Sequence, residues 1–369
     1  MAFDLKTHSI SVILANQSTS GAYIASPNFP VYHYSWFRDG AFIAYAMDRV
    51  GQFDSSARFH SWAARVINDR QDRIEQAVEK IKNSQPLTGE DILNTRYLVS
   101  GLESNDDWTN FQLDGFGTWL WALEQHAQLS GSLLDEDQIK ASRLVATYLT
   151  ALWSRPCYDC WEEFGDRVHL YTLAAIYASL RAEAHLNCNQ HDATLKAILD
   201  LILAHATDAG GFEKFMGSTE VDASLLGLSV PYGVVSPEDV RMRKTVSRIE
   251  SELRMENGGV HRYATDTYYG GGEWLLLTAW LGWYYTTIGD STQAQALYDW
   301  VVSHADANGD LPEQVSYHLN DGRYYEYWRE RWGEIAKPLL WSHAMFLILN
   351  AELSYIRPSD EVSRRGTAE

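Results

Sequence analysis

The feature that most constrains the fold is an alternation of two kinds of helical segment along the whole chain. Segments 118–129 and 273–287 are apolar on nearly every side, which suits helices buried all round. Between such segments lie amphipathic ones, 136–154 and 293–305, whose single apolar face needs one neighbour. Strand-like runs of β-branched residues are few, so the chain reads as all-α. The pattern places further helical segments at 38–50, 55–82, 169–186, 195–206, 222–228, 238–255 and 339–353. About twelve helices in two concentric rings, the inner covered by the outer, would account for the alternation. Six helical hairpins of roughly 60 residues each fill such a chain. No linker or composition break divides it, so residues 1–369 read as one domain. Residues 1–30 and 308–335 are expected to be irregular, and 358–369 a frayed charged tail.

Charge narrows the partners. Thirty Lys and Arg against 49 Asp and Glu leave a net charge of −19, which repels a phosphate backbone or an anionic membrane. A neutral small molecule meets no such barrier. The 14 Trp and 21 Tyr supply apolar ring faces with polar tips, a match for the mixed surface of a pyranose. The three cysteines, Cys157, Cys160 and Cys188, argue against a disulfide framework. Cys157 and Cys160 have zinc-ribbon spacing but no second pair, and His191 is the one soft ligand near Cys188; neither metal nor cofactor is expected. Residues 1–10 lack the basic, apolar and small-residue regions of a signal peptide, and no apolar run is long enough to span a bilayer. A cytoplasmic location is the expectation.

The chemistry gathers in the loops that lead into the apolar segments. Tyr158-Asp159-Cys160-Trp161-Glu162-Glu163 packs three carboxylates and an indole into one turn. Adjacent glutamates cannot share a face of a regular element, but in a loop they can serve two jobs. Four other loops share the character: residues 32–39, 108–114, 262–270 and 311–314 mix carboxylate, amide or guanidinium groups, most with aromatic rings. A sugar needs both, hydroxyls bridged by charged groups and a ring face laid on Trp or Tyr. Cleaving a glycosidic bond needs two carboxyl groups on opposite sides of the sugar, one of them protonated. Glu162, crowded by Asp159 and Glu163, is a candidate for that proton, and Glu313, in Leu311-Pro312-Glu313-Gln314, a candidate for the far side.

Six motifs in register resemble glycoside hydrolase family 15, the glucoamylase family. They are Tyr-x-Tyr-x-Trp-x-Arg-Asp at 32–39, Gln-x-Asp-Gly at 112–115, Trp-Glu-Glu at 161–163, Arg-Tyr-x-x-Asp-Thr-Tyr-Tyr at 262–269, Pro-Glu-Gln at 312–314 and Trp-Ser-His-Ala at 341–344. The resemblance implies a six-fold α/α barrel, inversion at the anomeric carbon and release of β-glucose from the non-reducing end of α-glucosides. By the same resemblance Glu162 would be the general acid and Glu313 the general base. Arg38, Asp39 and Arg262 would hold hydroxyls, with Trp36, Trp108 and Trp161 against the sugar. Glu163 would sit nearer the leaving sugar, Asp159 would shape the acid's surroundings, and Tyr32 would lie by the nucleophilic water, steadied by Tyr268. The two carboxyls would stand about 6.5–9.5 Å apart.

The chain departs from the family in having no room for a β-sandwich or a starch-binding module, which favours short soluble α-1,4- or α-1,6-linked oligosaccharides. Residues 318–337, rich in Tyr, Trp and Arg, match no motif and would shape the leaving-sugar site. Glu273 reads as a helix-dipole residue. A trehalase or other linkage specialist is the alternative within the family. A non-catalytic carbohydrate sensor on the same scaffold is the alternative outside enzymes; both glutamates being present speaks against it.

Overall fold

The computed structural model describes residues 4–356 except 208, 209 and 257. Among those residues thirteen α-helices follow in order: α1 Leu5–Ala15, α2 Phe37–Arg49, α3 Phe53–Asn68, α4 Gln71–Lys82, α5 Asp114–Ser130, α6 Glu136–Leu152, α7 Leu170–Asn187, α8 Asp192–Ala204, α9 Val240–Arg248, α10 Leu275–Thr287, α11 Ser291–Ser303, α12 Arg323–Trp332 and α13 Leu340–Ile356. The strands are short antiparallel pairs: Ser35–Trp36 with Arg96–Tyr97, Ala206–Thr207 with Gly211–Phe212, and Glu273–Trp274 with Gln314–Val315.

Helix contacts close a ring. α2 packs on α5, α5 on α7, α7 on a 3-10 helix at Ala223–Leu228, that turn on α10, α10 on α13, and α13 back on α2. These inner members are buried on all sides because they have neighbours on all sides: α2 is buried from Phe37 through Asp48 and α10 from Leu275 through Tyr284. The outer helices bury one stripe each. In α6 it comprises Ala141, Val145, Ala146, Tyr148, Leu149 and Leu152, at the spacing of one helix face. Around the ring, α1 covers α13, α3 covers α2, α6 and α8 cover α7, α9 covers the 3-10 turn, and α11 covers α10 and α13. Inner helices also touch through missing side chains. A Cβ on Gly117 would lie 2.8 Å from the Ala175 backbone, so glycine there is what lets α5 and α7 meet.

The two-ring expectation therefore holds, with local corrections. The segment 1–30, expected to be irregular, contains α1, capped by the Asp4 carboxylate on the amides of Lys6 and Thr7. Its buried face is Leu5, Ser9 and Ile13, and the serine in the middle erases the apolar signal. The segment 308–335 contains α12, none of whose residues is fully buried; its one half-buried face, Tyr325, Trp328 and Trp332, is a thin stripe among charged residues. The expected single helix over 55–82 breaks between α3 and α4, and 222–228 is a 3-10 rather than an α turn. The expected frayed tail, 358–369, lies outside the described residues.

Candidate active site

The loops entering the inner helices meet at one end of the ring around a cavity of about 430 Å³. Helix α2 brings Arg38 and Asp39 in its first turn, the loop before α7 brings Trp161, Glu162 and Glu163, and the stretch before α10 brings Arg262, Tyr268 and Trp274. Glu313 arrives beside the start of α13: its amide donates to the Ala336 carbonyl, and the Ser342 hydroxyl donates to the Pro312 carbonyl. Glu162 thus precedes the third member of the ring, and Glu313, whose carbonyl also accepts from the Leu275 amide, enters between the fifth and the sixth, on the far side of a ring of six.

The adjacent glutamates are separated by backbone geometry. Glu162 has φ 69°, a left-handed conformation that non-glycine residues seldom adopt. The turn is held by Asp159, whose Oδ1 accepts from the amides of Trp161 and Glu163 at 2.9 Å. Glu162 Oε1 then accepts from Trp36 Nε1 at 2.7 Å and Gln112 Nε2 at 3.1 Å. Glu163 turns the other way and accepts from the Tyr263 hydroxyl, with Arg262 Nη2 at 3.4 Å.

Glu313 has a different setting. Its Oε1 accepts from the Tyr32 hydroxyl at 3.0 Å, and that hydroxyl lies 2.8 Å from the Tyr268 hydroxyl. Its Oε2 is buried with no hydrogen-bond partner in the protein. Burial pushes the Glu313 carboxyl up to about 8, against the opposite pull of the Tyr32 hydrogen bond and the nearby Arg262 charge. Burial also lifts Asp39 to about 6, with Arg38 drawing it down.

Both arginines are fixed from behind by buried carboxylates. Arg38 Nη1 donates to Asp114 Oδ2 at 3.1 Å and Gln112 Oε1 at 3.0 Å, while its Nε has no hydrogen-bond partner and stands 3.7 Å from Asp39. Arg262 forms a fork on Asp266, Nε to Oδ2 at 2.7 Å and Nη2 to Oδ1 at 2.5 Å. Its guanidinium lies 5.1–5.5 Å from the ring centroids of Trp161, Tyr263, Tyr268 and Trp274.

Of the expected site residues, Tyr32, Trp36, Arg38, Asp39, Trp108, Trp161, Glu162, Glu163, Arg262, Tyr268 and Glu313 all line the cavity. Asp159 does not: it is buried behind the loop, with Oδ2 3.9 Å from Lys214, and burial raises it to about 7. Glu273 is also corrected. It sits in a strand two residues before α10, fully buried, with Oε1 3.1 Å from His318 Nδ1 rather than at a helix terminus. The sequence reading missed Trp274 and the particular contribution of α12, which brings Trp328, Arg331 and Trp332 to the cavity. It also missed Arg96, which places its guanidinium 3.4 Å from the Trp108 ring centroid and pairs with Asp106. The aromatic density of 318–337 was the available signal for α12; nothing local marks Arg96.

A closed ring of helices whose end pocket is lined by two glutamates from loops on its two sides, among indoles and pinned arginines, defines a glycoside hydrolase of the α/α-barrel class. Residues 5–351 match the model for glycosyl hydrolases family 15, and the chain belongs to that family. It is 40% identical over 365 residues to an isomaltose glucohydrolase of Kribbella flavida, covering 96% of this chain and 94% of that one. A solved glycosidase in complex with glucose superposes with TM-score 0.90 at 39% identity, over 96% of this chain and 97% of that one. A bacterial glucoamylase complexed with acarbose shares the fold, with TM-score 0.76 and 21% identity over all of this chain and 58% of that one.

Proposed function

We propose that the protein is an exo-acting, inverting hydrolase of short α-glucosides, with isomaltose-type α-1,6 links foremost, and that it releases β-glucose from the non-reducing end. The observation that carries the reading is that Glu162 and Glu313, 151 positions apart, line one cavity from loops on two sides of the ring. Arg38, Asp39 and Arg262 would hold hydroxyls of the terminal glucose, with Trp36, Trp108 and Trp161 against its ring. A cavity of about 430 Å³ is in the lower half of the ~300–1,000 Å³ typical of small-ligand sites, which suits a substrate of few sugar units. The likeness to an isomaltose glucohydrolase over almost both full lengths supports the α-1,6 preference.

In the proposed step Glu162 protonates the glycosidic oxygen as the bond to the anomeric carbon breaks. Glu313 takes a proton from water while the water oxygen attacks that carbon from the opposite face, so an α-glucoside yields β-glucose. Three features support this division. Glu162 is half-buried and Glu313 is 3% exposed, so the acid is nearer the mouth, where the leaving sugar must lie. Both donors to Glu162 converge on Oε1, which leaves Oε2 to carry the proton. Tyr32 and Arg262 favour the ionised form of Glu313. A second reading exchanges the two roles, and the burial that lifts Glu313 to about 8 favours it.

Incubation with isomaltose, maltose, trehalose and longer maltodextrins, with released glucose followed by proton NMR, tests the proposal. Fastest turnover of isomaltose with initial β-anomer is expected. Initial α-anomer would overturn inversion, and fastest turnover of trehalose would make the enzyme a trehalase.

A further inference from the structure

We propose that the end of the barrel away from the pocket holds a structural transition-metal ion, zinc above all, between Asp48 of α2, His60 of α3 and His126 of α5. One ligand atom from each of the three lies within 4.8 Å of the other two, and all three residues are buried. Asp48 Oδ1 is 2.9 Å from His126 Nδ1, and Asp48 Oδ2 accepts from the Ser56 hydroxyl at 2.8 Å. The rings of His60 and His126 stand with centroids 5.1 Å apart.

His60 is the observation that a simple polar network leaves unexplained. It is fully buried, and neither ring nitrogen has a hydrogen-bond partner in the protein. Leaving a buried polar group unsatisfied costs about 1–3 kcal/mol. An aliphatic side chain would fill the same space among Phe59 and its neighbours without that cost. A neutral imidazole offers a lone pair, and here it offers it toward a second imidazole and a carboxylate. Two imidazoles and one carboxylate supply three of the four positions divalent zinc takes, with nitrogen bonds of about 2.0–2.1 Å, and a water or the second Asp48 oxygen would take the fourth. The edges of such a polyhedron are shorter than 4.8 Å, so the three side chains close inward on the ion. Ser56, one turn before His60 on α3, already orients the carboxylate, as groups behind metal ligands commonly do.

The placement gives the ion a task. Asp48 lies ten residues beyond Arg38 on α2, and His126 lies twelve beyond Asp114 on α5. At 1.5 Å per residue these are spans of roughly 15 and 18 Å. The Arg38–Asp114 pair ties α2 and α5 together at the pocket end. The ion would tie the same two helices, and α3, at the other end, so Arg38 would be held by helices clamped at both ends. This site is separate from the cysteines, where the sequence reading looked for a metal.

The test is metal analysis of tag-free protein produced with zinc in the medium, with refolding in a chelator or in added zinc as a companion. About one zinc per chain, a higher Tm for the zinc-refolded protein, and loss of both in His60→Gln and Asp48→Asn are expected. Should the variants not fold, the wild-type metal content and Tm difference decide alone. Wild-type protein holding less than a tenth of an equivalent, with the same Tm in chelator and in zinc, would overturn the proposal. Zinc retained by folded His60→Gln would overturn it too, because the ion would then sit elsewhere.

Discussion

The floor and the roof of the cavity are built on different principles. On the floor, charged groups are held by hydrogen bonds from behind: Arg38 by Asp114, Arg262 by Asp266, Glu162 by Trp36 and Gln112, Glu313 by Tyr32. On the roof, α12 has no fully buried residue; it sets Trp328 edge-on against Tyr268 and stacks Trp332 beside Trp108. A floor made this way would fix where the glucose ring of the proposed substrate and its reacting carbon lie. A roof made of half-buried indoles and the exposed Arg331 can change its occupant without disturbing the barrel. On the proposed reading the difference divides recognition: the floor would set the chemistry and the terminal sugar, the roof the partner that leaves.

The largest effects should come from the floor. Glu162→Gln and Glu313→Gln are each expected to lower kcat for isomaltose by about 10³-fold or more, with circular dichroism and Tm close to wild type. Loss of less than tenfold in either would break the assignment. Asp266→Asn leaves Arg262 as a buried charge without its carboxylate, at a cost of about 3–5 kcal/mol of stability. Urea unfolding would show this as a lower midpoint with an unchanged slope.

Tyr32→Phe removes the hydroxyl that donates to Glu313, and a fall of about tenfold in kcat is expected. It also shifts the pH profile. A base works ionised, and burial holds Glu313 above its ordinary 4.5, so kcat/KM should fall as pH falls through the raised value. The acid limb is therefore expected above pH 4.5 in the wild type and higher still in Tyr32→Phe, because the lost hydrogen bond had favoured the anion. A limb that moves down would contradict this.

The smallest effects belong to the roof. Arg331→Ala and Trp332→Ala should change kcat/KM for isomaltose by only a few-fold. The ratio of isomaltose to maltose turnover should move more than either rate does for glucosyl fluoride, whose leaving group is too small to reach α12. Equal losses on all three substrates would assign α12 to the floor and erase the distinction.

Legibility from sequence followed the same division. Of the inner helices, α5 and α10 announced themselves by being apolar all round, and the floor by motifs in which carboxylate, amide or guanidinium groups sit beside aromatic rings. The roles of Gln112 and Asp114 were visible as a motif but not as the group that pins Arg38, because that contact spans more than seventy residues. Helix α12 was overlooked: its half-buried face is only Tyr325, Trp328 and Trp332, at helical spacing but set among charged residues. α1 was hidden by one buried serine. Asp159 looked like a site carboxylate because it lies three residues from Glu162, yet its task is to hold the turn that aims Glu162.

The central claim is that Glu162 gives a proton and Glu313 receives one. The most direct test is hydrolysis of α-glucosyl fluoride, whose leaving group needs little protonation, by Glu162→Gln and Glu313→Gln side by side. Our account predicts that Glu162→Gln recovers most of its lost turnover on the fluoride and that Glu313→Gln does not. Recovery by Glu313→Gln alone would exchange the two roles and contradict it.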